Sequence, residues 1–344
     1  MKKAFVTVDV ECHDINLENN YIWGKVGNEE FGIRRILELG KKHDIPINFF
    51  FDMCEANRYG EDYARRIIDT IRSYGQPVYL HLHPNYISGD DSRTFLWQYS
   101  YEEQRDILEK AFKQYCKLME TDSCSAFRVG RYGASEDMYK ALSELNVAVN
   151  DLSYCYGNRK MCKLTYAEVG TINLPTKYYG QIVFPNTQFI CFDYFGKQKF
   201  INTDLQEVGF NELKDVLSKD IPSDLVFTIH SWNFINRYFF KDGISGNKKQ
   251  IKKFEKVINY CKKKGFIFGD VGKEDFSNRL KDETTEEKVI NNCKGFKGKI
   301  KSLFYNFFRF QQMAKINKKY FKVYGLFYFS CAVILAGIAL LVLL

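Results

Sequence analysis

The sequence predicts an α/β domain built on a parallel sheet, and three observations carry that prediction. Apolar runs of strand length alternate with helix-patterned segments from the first residues onward. The 344 residues are 45% hydrophobic and 27% charged, a globular composition with room for one large core. Several of the apolar runs end in ionisable residues, as strands do where an α/β sheet carries its ligand site.

Strands are expected at 4–10, 46–52, 77–82, 126–129, 147–151, 189–194, 225–230 and 265–269. Between them, "EEFGIRRILELGKKH", "EDYARRIIDTIRSYG", "SYEEQRDILEKAFKQYCKLM" and "NKKQIKKFEKVINYCKKKG" carry helical periodicity. "SYEE", beginning at Ser100, is a capping box, and Gly75 and Gly265 stop the helices before them. Seven or eight such steps mean a parallel sheet, either open or closed into a barrel. Residues 155–210 break the rhythm and read as loops with a short hairpin over one end.

The formal net charge of +8 is not spread evenly. Residues 288–322 hold ten Lys and Arg and no Asp or Glu, so the first 287 residues are close to neutral. This argues against a nucleic-acid binder. Residues 323–344 are uncharged throughout, long enough for a transmembrane helix rather than a shorter buried core helix. The Lys-rich flank before them keeps that side, and the domain, in the cytoplasm. Three units follow: a catalytic domain at 1–276, a polar then basic amphipathic juxtamembrane linker at 277–322, and the span at 323–344. Ten cysteines without a CxxC pair read as reduced packing thiols.

The chemistry lies at the strand ends. Asp9 and Glu11 stand two apart and share a face, as do His81 and His83. Arg128 and Arg131 follow the fourth strand, Asp151 ends the fifth, and His230 ends the run at 225–230. A lone strand-end Asp or His is ordinarily a cap or a satisfied core group; five such ends argue for a site. Two imidazoles and a carboxylate make a facial ligand set for a catalytic divalent metal. With a further carboxylate and His as base and acid, the set suits hydrolysis of an amide or ester. His13 lies in a loop just past the first strand, and His43 ends a helix as a favourable C-terminal charge. Trp232 and Tyr132 either stack on a sugar ring or roof the core.

The order "TVDVE", "INFFF", "HLHP", "FRVGRYG", "NDLSY", "FTIHSW" resembles the polysaccharide deacetylase (NodB-homology) family over roughly residues 3–275. The resemblance implies a distorted (β/α)7-type barrel followed by the C-terminal transmembrane helix. It also implies metal-dependent removal of an acetyl group from a sugar, with zinc the expected metal. By the same resemblance Asp9 is the catalytic base and His81 a metal ligand. Arg128 holds the base, and Asp151 orients the acid His230. The chain departs from the family at Val10, where a second aspartate binds metal, and at Asn85, where a histidine stands four after the first. It also reads "VGRY" where the third motif carries a proline. A branch with "DVE" and "HLHP" looks closer; either Glu11 and His83 replace the missing ligands, or the metal site is lost. The family includes a deformylase of a lipid-linked sugar, so an N-acyl, lipid-linked glycan is the analogous substrate. The rival expectation is an inactive glycan-binding pseudoenzyme of the same fold.

Overall fold

The computed structural model describes residues 2–194, 196–219, 224–237, 243–281 and 286–316. The segment at 323–344 lies outside them; among the described residues no helix is long and apolar enough to cross a membrane.

The main sheet contains β1 (Lys2–Val10), β2 (Ile47–Asp52), β3 (Val78–Leu82), β4 (Ala126–Val129) and β5 (Asn150–Asp151). An antiparallel pair, β6 (Thr176–Tyr178) and β7 (Gln181–Val183), ends it on one side. A second hairpin, β8 (Gln188–Tyr194) with β9 (Lys197–Asn202), stands apart from it. The main sheet is completed by β10 (Asp224–His230) and β11 (Phe266–Phe268). The strand order is β10-β1-β2-β3-β4-β5-β7-β6, with β11 also pairing the start of β1, and every pair except β6–β7 is parallel. The strand expected at 189–194 is thus no part of the parallel sheet, because its partner is the next segment of chain.

The sheet curls without closing by a strand ladder. Loop residues cross the gap between β7 and β10: Asn186 accepts from Thr228 Oγ1 at 3.1 Å, and Thr187 Oγ1 accepts from Val226 N at 2.9 Å. The helices cover the outer face: α1 (Ile33–His43), α2 (Glu61–Ser73), α3 (Tyr101–Met119), α4 (Glu136–Glu144), α5 (Phe210–Leu217) and α6 (Lys248–Lys263). The Ser100–Glu103 capping box starts α3, and Gly75 and Gly265 follow α2 and α6 with φ of 69° and 80°.

Burial on both faces explains why β1 is apolar almost throughout. The outward residues Val6, Val8 and Val10 join the helices in the large core. The inward residues form layers. Phe5, Phe50, Tyr79, Ala126 and Phe184 fill the lower interior, closed below by Val271 and Phe276. Thr7, Asp9 and then Glu11 continue that inward row, so the interior becomes polar at the carboxyl ends of the strands.

Composition placed the end of the domain at 276, but the described chain beyond it packs back onto the domain. Glu287 accepts from the backbone N–H of Ile172 at 2.8 Å and of Leu174 at 3.2 Å, and Ile290 enters the core. The basic stretch begins a helix, α7 (Gly295–Ile316), that docks on β8 and α5. Ser302 Oγ and Asn306 Nδ2 donate to Cys191 O at 2.5 and 2.7 Å, and Arg309 pairs in bidentate fashion with Glu212 at 3.0 and 3.1 Å. All nine described cysteines are free thiols.

Candidate metal and hydrolytic site

Register brings the predicted residues to one level. Asp9 pairs His230 across β1 and β10, and His81 pairs both Asp52 and Arg128 across β2, β3 and β4. In-register residues of parallel strands face the same side, here the interior. Arg128 is buried; its guanidinium donates to Asp9 Oδ1 at 2.5 Å, Thr7 Oγ1 at 2.9 Å and Asn186 Oδ1 at 3.0 Å, over the Phe50 ring. The expected grip of Arg128 on Asp9 is present.

Above this layer Glu11, His81 and His83 converge, all buried, with ligand atoms within 4.8 Å of one another. Glu11 Oε2 lies 2.6 Å from His83 Nε2 and 3.6 Å from His81 Nε2. Close as they are, Glu11 Oε2 and His83 Nε2 are not aligned for a hydrogen bond, and neither has another partner among the described residues, although both are buried. Orphaned buried donors and acceptors are costly, and a cation held by these atoms would satisfy them together. His81 Nδ1 sits 2.9 Å from Arg128 O, which fixes the tautomer and turns Nε2 toward the cluster. Burial pushes the Glu11 carboxyl up, but the adjacent His83 and His81 outweigh it and hold its pKa well below the usual range. The residues fit a divalent metal with two neutral imidazoles and one carboxylate.

Two acids that the motif reading passed over support these ligands. Asp52 accepts from the His83 backbone N–H at 3.1 Å, and Glu55 accepts from Cys12 N at 2.5 Å and from Tyr63 at 2.7 Å. They fasten the backbone carrying His83 and the backbone just after Glu11. Burial raises Asp52 to about 7, against the pull of His83. Asp52 ends its strand as the other site residues end theirs, a signal the sequence did contain.

Gly130 supplies the room that His83 needs. A Cβ at 130 would lie 2.5–2.7 Å from three atoms of the His83 ring. Gly130→Ala is therefore expected to displace the imidazole and weaken metal binding by roughly 10–100-fold with the fold intact. Zinc titration of the variant checks this; unchanged affinity would show that the ring has space to spare. At the family's other ligand positions, Val10 faces the outer core and Asn85 donates to Asp91 at 2.9 Å.

Asp151 is not where the resemblance placed it. It pairs Phe127, whose side chain belongs to the outer core, so the strand alternation turns Asp151 away from the interior. Ser153 Oγ donates to it at 2.6 Å, and Tyr139 of α4 donates to its other oxygen. Burial raises its pKa to about 6 despite these bonds. The folded state then binds more protons than the unfolded chain between about pH 4 and 6. Stability should fall across that window as pH rises, by about 3 kcal/mol in all. Asp151→Asn should flatten this part of the curve in urea melts at stepped pH; an unchanged slope would mean that another group sets it.

One acid near the strand of His230 is Asp204, from the irregular stretch before α5. It bridges to Thr228, two residues before His230 on the same strand, and His230 is the largest influence lowering a pKa that burial has raised. His230 Nδ1 is buried without a hydrogen-bond partner among the described residues, and Nε2 lies 3.9 Å from Glu11 Oε1. Trp232 stacks on its ring at 4.6 Å between centroids. His13 also joins the site, its Nε2 3.7 Å from Glu11 Oε1 and its ring against Tyr21 and Trp232. Four of the five histidines thus surround Glu11. Arg237 lies over the Tyr21 and Trp232 rings, and burial lowers its pKa. Arg131 and Tyr132 turn the rim with consecutive φ of 57° and 54°, a left-handed pair that costs energy for non-glycine residues.

No family model and no curated protein matches the chain. Solved structures do. A Mycobacterium smegmatis protein assigned as a polysaccharide deacetylase superposes with a TM-score of 0.50 at 13% identity, covering 83% of this chain and 94% of its own. A carbohydrate esterase family 4 pseudoenzyme from Bacillus anthracis gives 0.42 at 15%, covering 78% of this chain. A mutant of it with restored activity gives 0.43 at 14% over the same share. The chain spans 64% and 66% of those two structures. In its curled, mostly parallel sheet this chain has the fold of the polysaccharide deacetylases.

Proposed function

We propose that the chain is a metal-dependent hydrolase that removes an N-acyl group, acetyl or formyl, from a sugar. The observation that carries this reading is the convergence of Glu11, His81 and His83 beside the Asp9–Arg128 pair. A divalent metal held there, zinc being the expected one, supplies Lewis-acid polarisation of the acyl carbonyl. Asp9, anchored through Oδ1, offers its second oxygen to take a proton from the attacking water. His230 carries the proton for the leaving amine, with Asp204 behind it to stabilise the imidazolium. Tyr132 and the rim of Trp232 bound the sugar ring.

The substrate reading extends to a lipid-linked glycan handled at the cytoplasmic face. The uncharged run at 323–344 with its lysine flank supports membrane anchorage. Arg131 and Arg237 stand near His13 at the mouth without a carboxylate partner among the described residues, which suits a phosphate-linked sugar. Purified full-length protein supplied with zinc should release acetate or formate from soluble or polyprenyl-phosphate-linked N-acyl sugars. Release from neither class would sink the hydrolase reading. Protease protection of the domain in intact cells tests its sidedness.

A metal-free glycan-binding protein is the second reading, favoured by Val10, which packs in the outer core, and by Asn85, which donates to Asp91, at positions where the resemblance expects ligands. Metal analysis separates the two, since only the enzyme needs the ion.

A further inference from the structure

Exposed large apolar side chains of the described residues gather on α7. Among the described residues, eleven large apolar side chains are exposed, and five of them, Phe296, Ile300, Leu303, Phe304 and Phe308, are on this helix. They fall at i, i+4, i+7, i+8 and i+12, one continuous stripe along a helix of 3.6 residues per turn. Phe296 is 82% exposed, Phe304 60% and Phe308 58%. The opposite face, through Ser302, Asn306 and Arg309, is the one bonded to β8 and α5. The stripe therefore points outward from a helix that is fixed to the domain.

We infer that this face lies in the headgroup region of an anionic bilayer, along the membrane plane, and so holds the domain in one orientation at the surface. Charge is the first argument for that occupant. Lys294, Lys297 and Lys299 are exposed beside the stripe, and residues 288–322 contain no acid to oppose them. The second is the chain that follows. Twenty-eight residues continue past Ile316, and the last twenty-two are uncharged. The lysines keep α7 from crossing a bilayer, while its aromatic stripe and basic flanks are what an interfacial helix presents. The inference takes up the membrane anchorage proposed above but needs no catalytic activity.

The test uses full-length protein reconstituted in vesicles of phosphatidylcholine and phosphatidylglycerol, with Phe304→Trp and, as a control on another exposed aromatic, Tyr166→Trp. Flotation of protein with vesicles reports anchorage by itself. Relative to wild type, the Phe304→Trp indole should shift to the blue and be quenched by acyl-brominated lipid, and the Tyr166→Trp indole should be quenched only by aqueous iodide. Protein that floats while iodide quenches the Phe304→Trp indole overturns the inference and leaves the anchor standing. Shielding from both quenchers means that protein, a second copy or the chain's own terminus, covers the face, and also overturns it. Protein that fails to float removes both readings.

Discussion

Replacing His81 and His83 together by alanine should leave the purified protein without bound divalent metal and lower N-acyl sugar hydrolysis by roughly 10²–10⁴-fold. The magnitude follows from losing several kcal/mol of charge stabilisation at the acyl carbonyl. The structure argues for this outcome because Glu11 Oε2 and His83 Nε2 are buried without a hydrogen-bond partner among the described residues, and a single carboxylate would remain to hold a cation. Elemental analysis of wild type and variant gives the direct reading, with circular dichroism to confirm that both are folded. Ligand binding to the native state also raises stability, by about 2.7 kcal/mol at a hundred times Kd. Added zinc should therefore raise the melting temperature of the wild type and not of the variant. Wild-type protein that holds no stoichiometric metal would decide for the pseudoenzyme.

The second large effect is on stability. Arg128→Leu should cost about 3–5 kcal/mol, because it strips the partner from a buried carboxylate. Arg128 and Asp9 are both buried, and the guanidinium also satisfies Thr7 and Asn186. Such a loss is a large share of a typical 5–15 kcal/mol. Combining it with Asp9→Asn should recover part of the cost, since the unpaired charge goes too, and a coupling of about 1–3 kcal/mol is expected. Urea unfolding of the four proteins supplies the cycle. Additive losses would show that the two groups do not sense each other in the folded state.

Much of the site was legible in the sequence because strand alternation is a local rule. Asp9 and Glu11, two apart, had to share a face, and so did His81 and His83; the structure adds only that the faces meet. The same rule applied one strand further would have moved Asp151 outward. That needs the register of β5 against β4, and β5 is only two residues long. Asp204 could not be found from pattern, since it comes from an irregular stretch and is brought beside the strand of His230 by its bridge to Thr228. Gly130 looked like loop punctuation until the His83 ring was seen against it. The basic amphipathic character of the stretch that forms α7 was read from composition, whereas its docking through Arg309 and Glu212, 97 residues apart, was not.

By itself the sequence determined most of the parallel strands and the main helices, the polar strand ends and the uneven charge, all of which follow from short-range periodicity and composition. Tertiary structure alone decided that the sheet curls without closing its ladder, that Asp151 bonds to Tyr139 and Ser153 on the outer side, and that four histidines surround one glutamate. Those outcomes depend on register and on contacts between residues far apart in the chain, for which no local pattern carries the information.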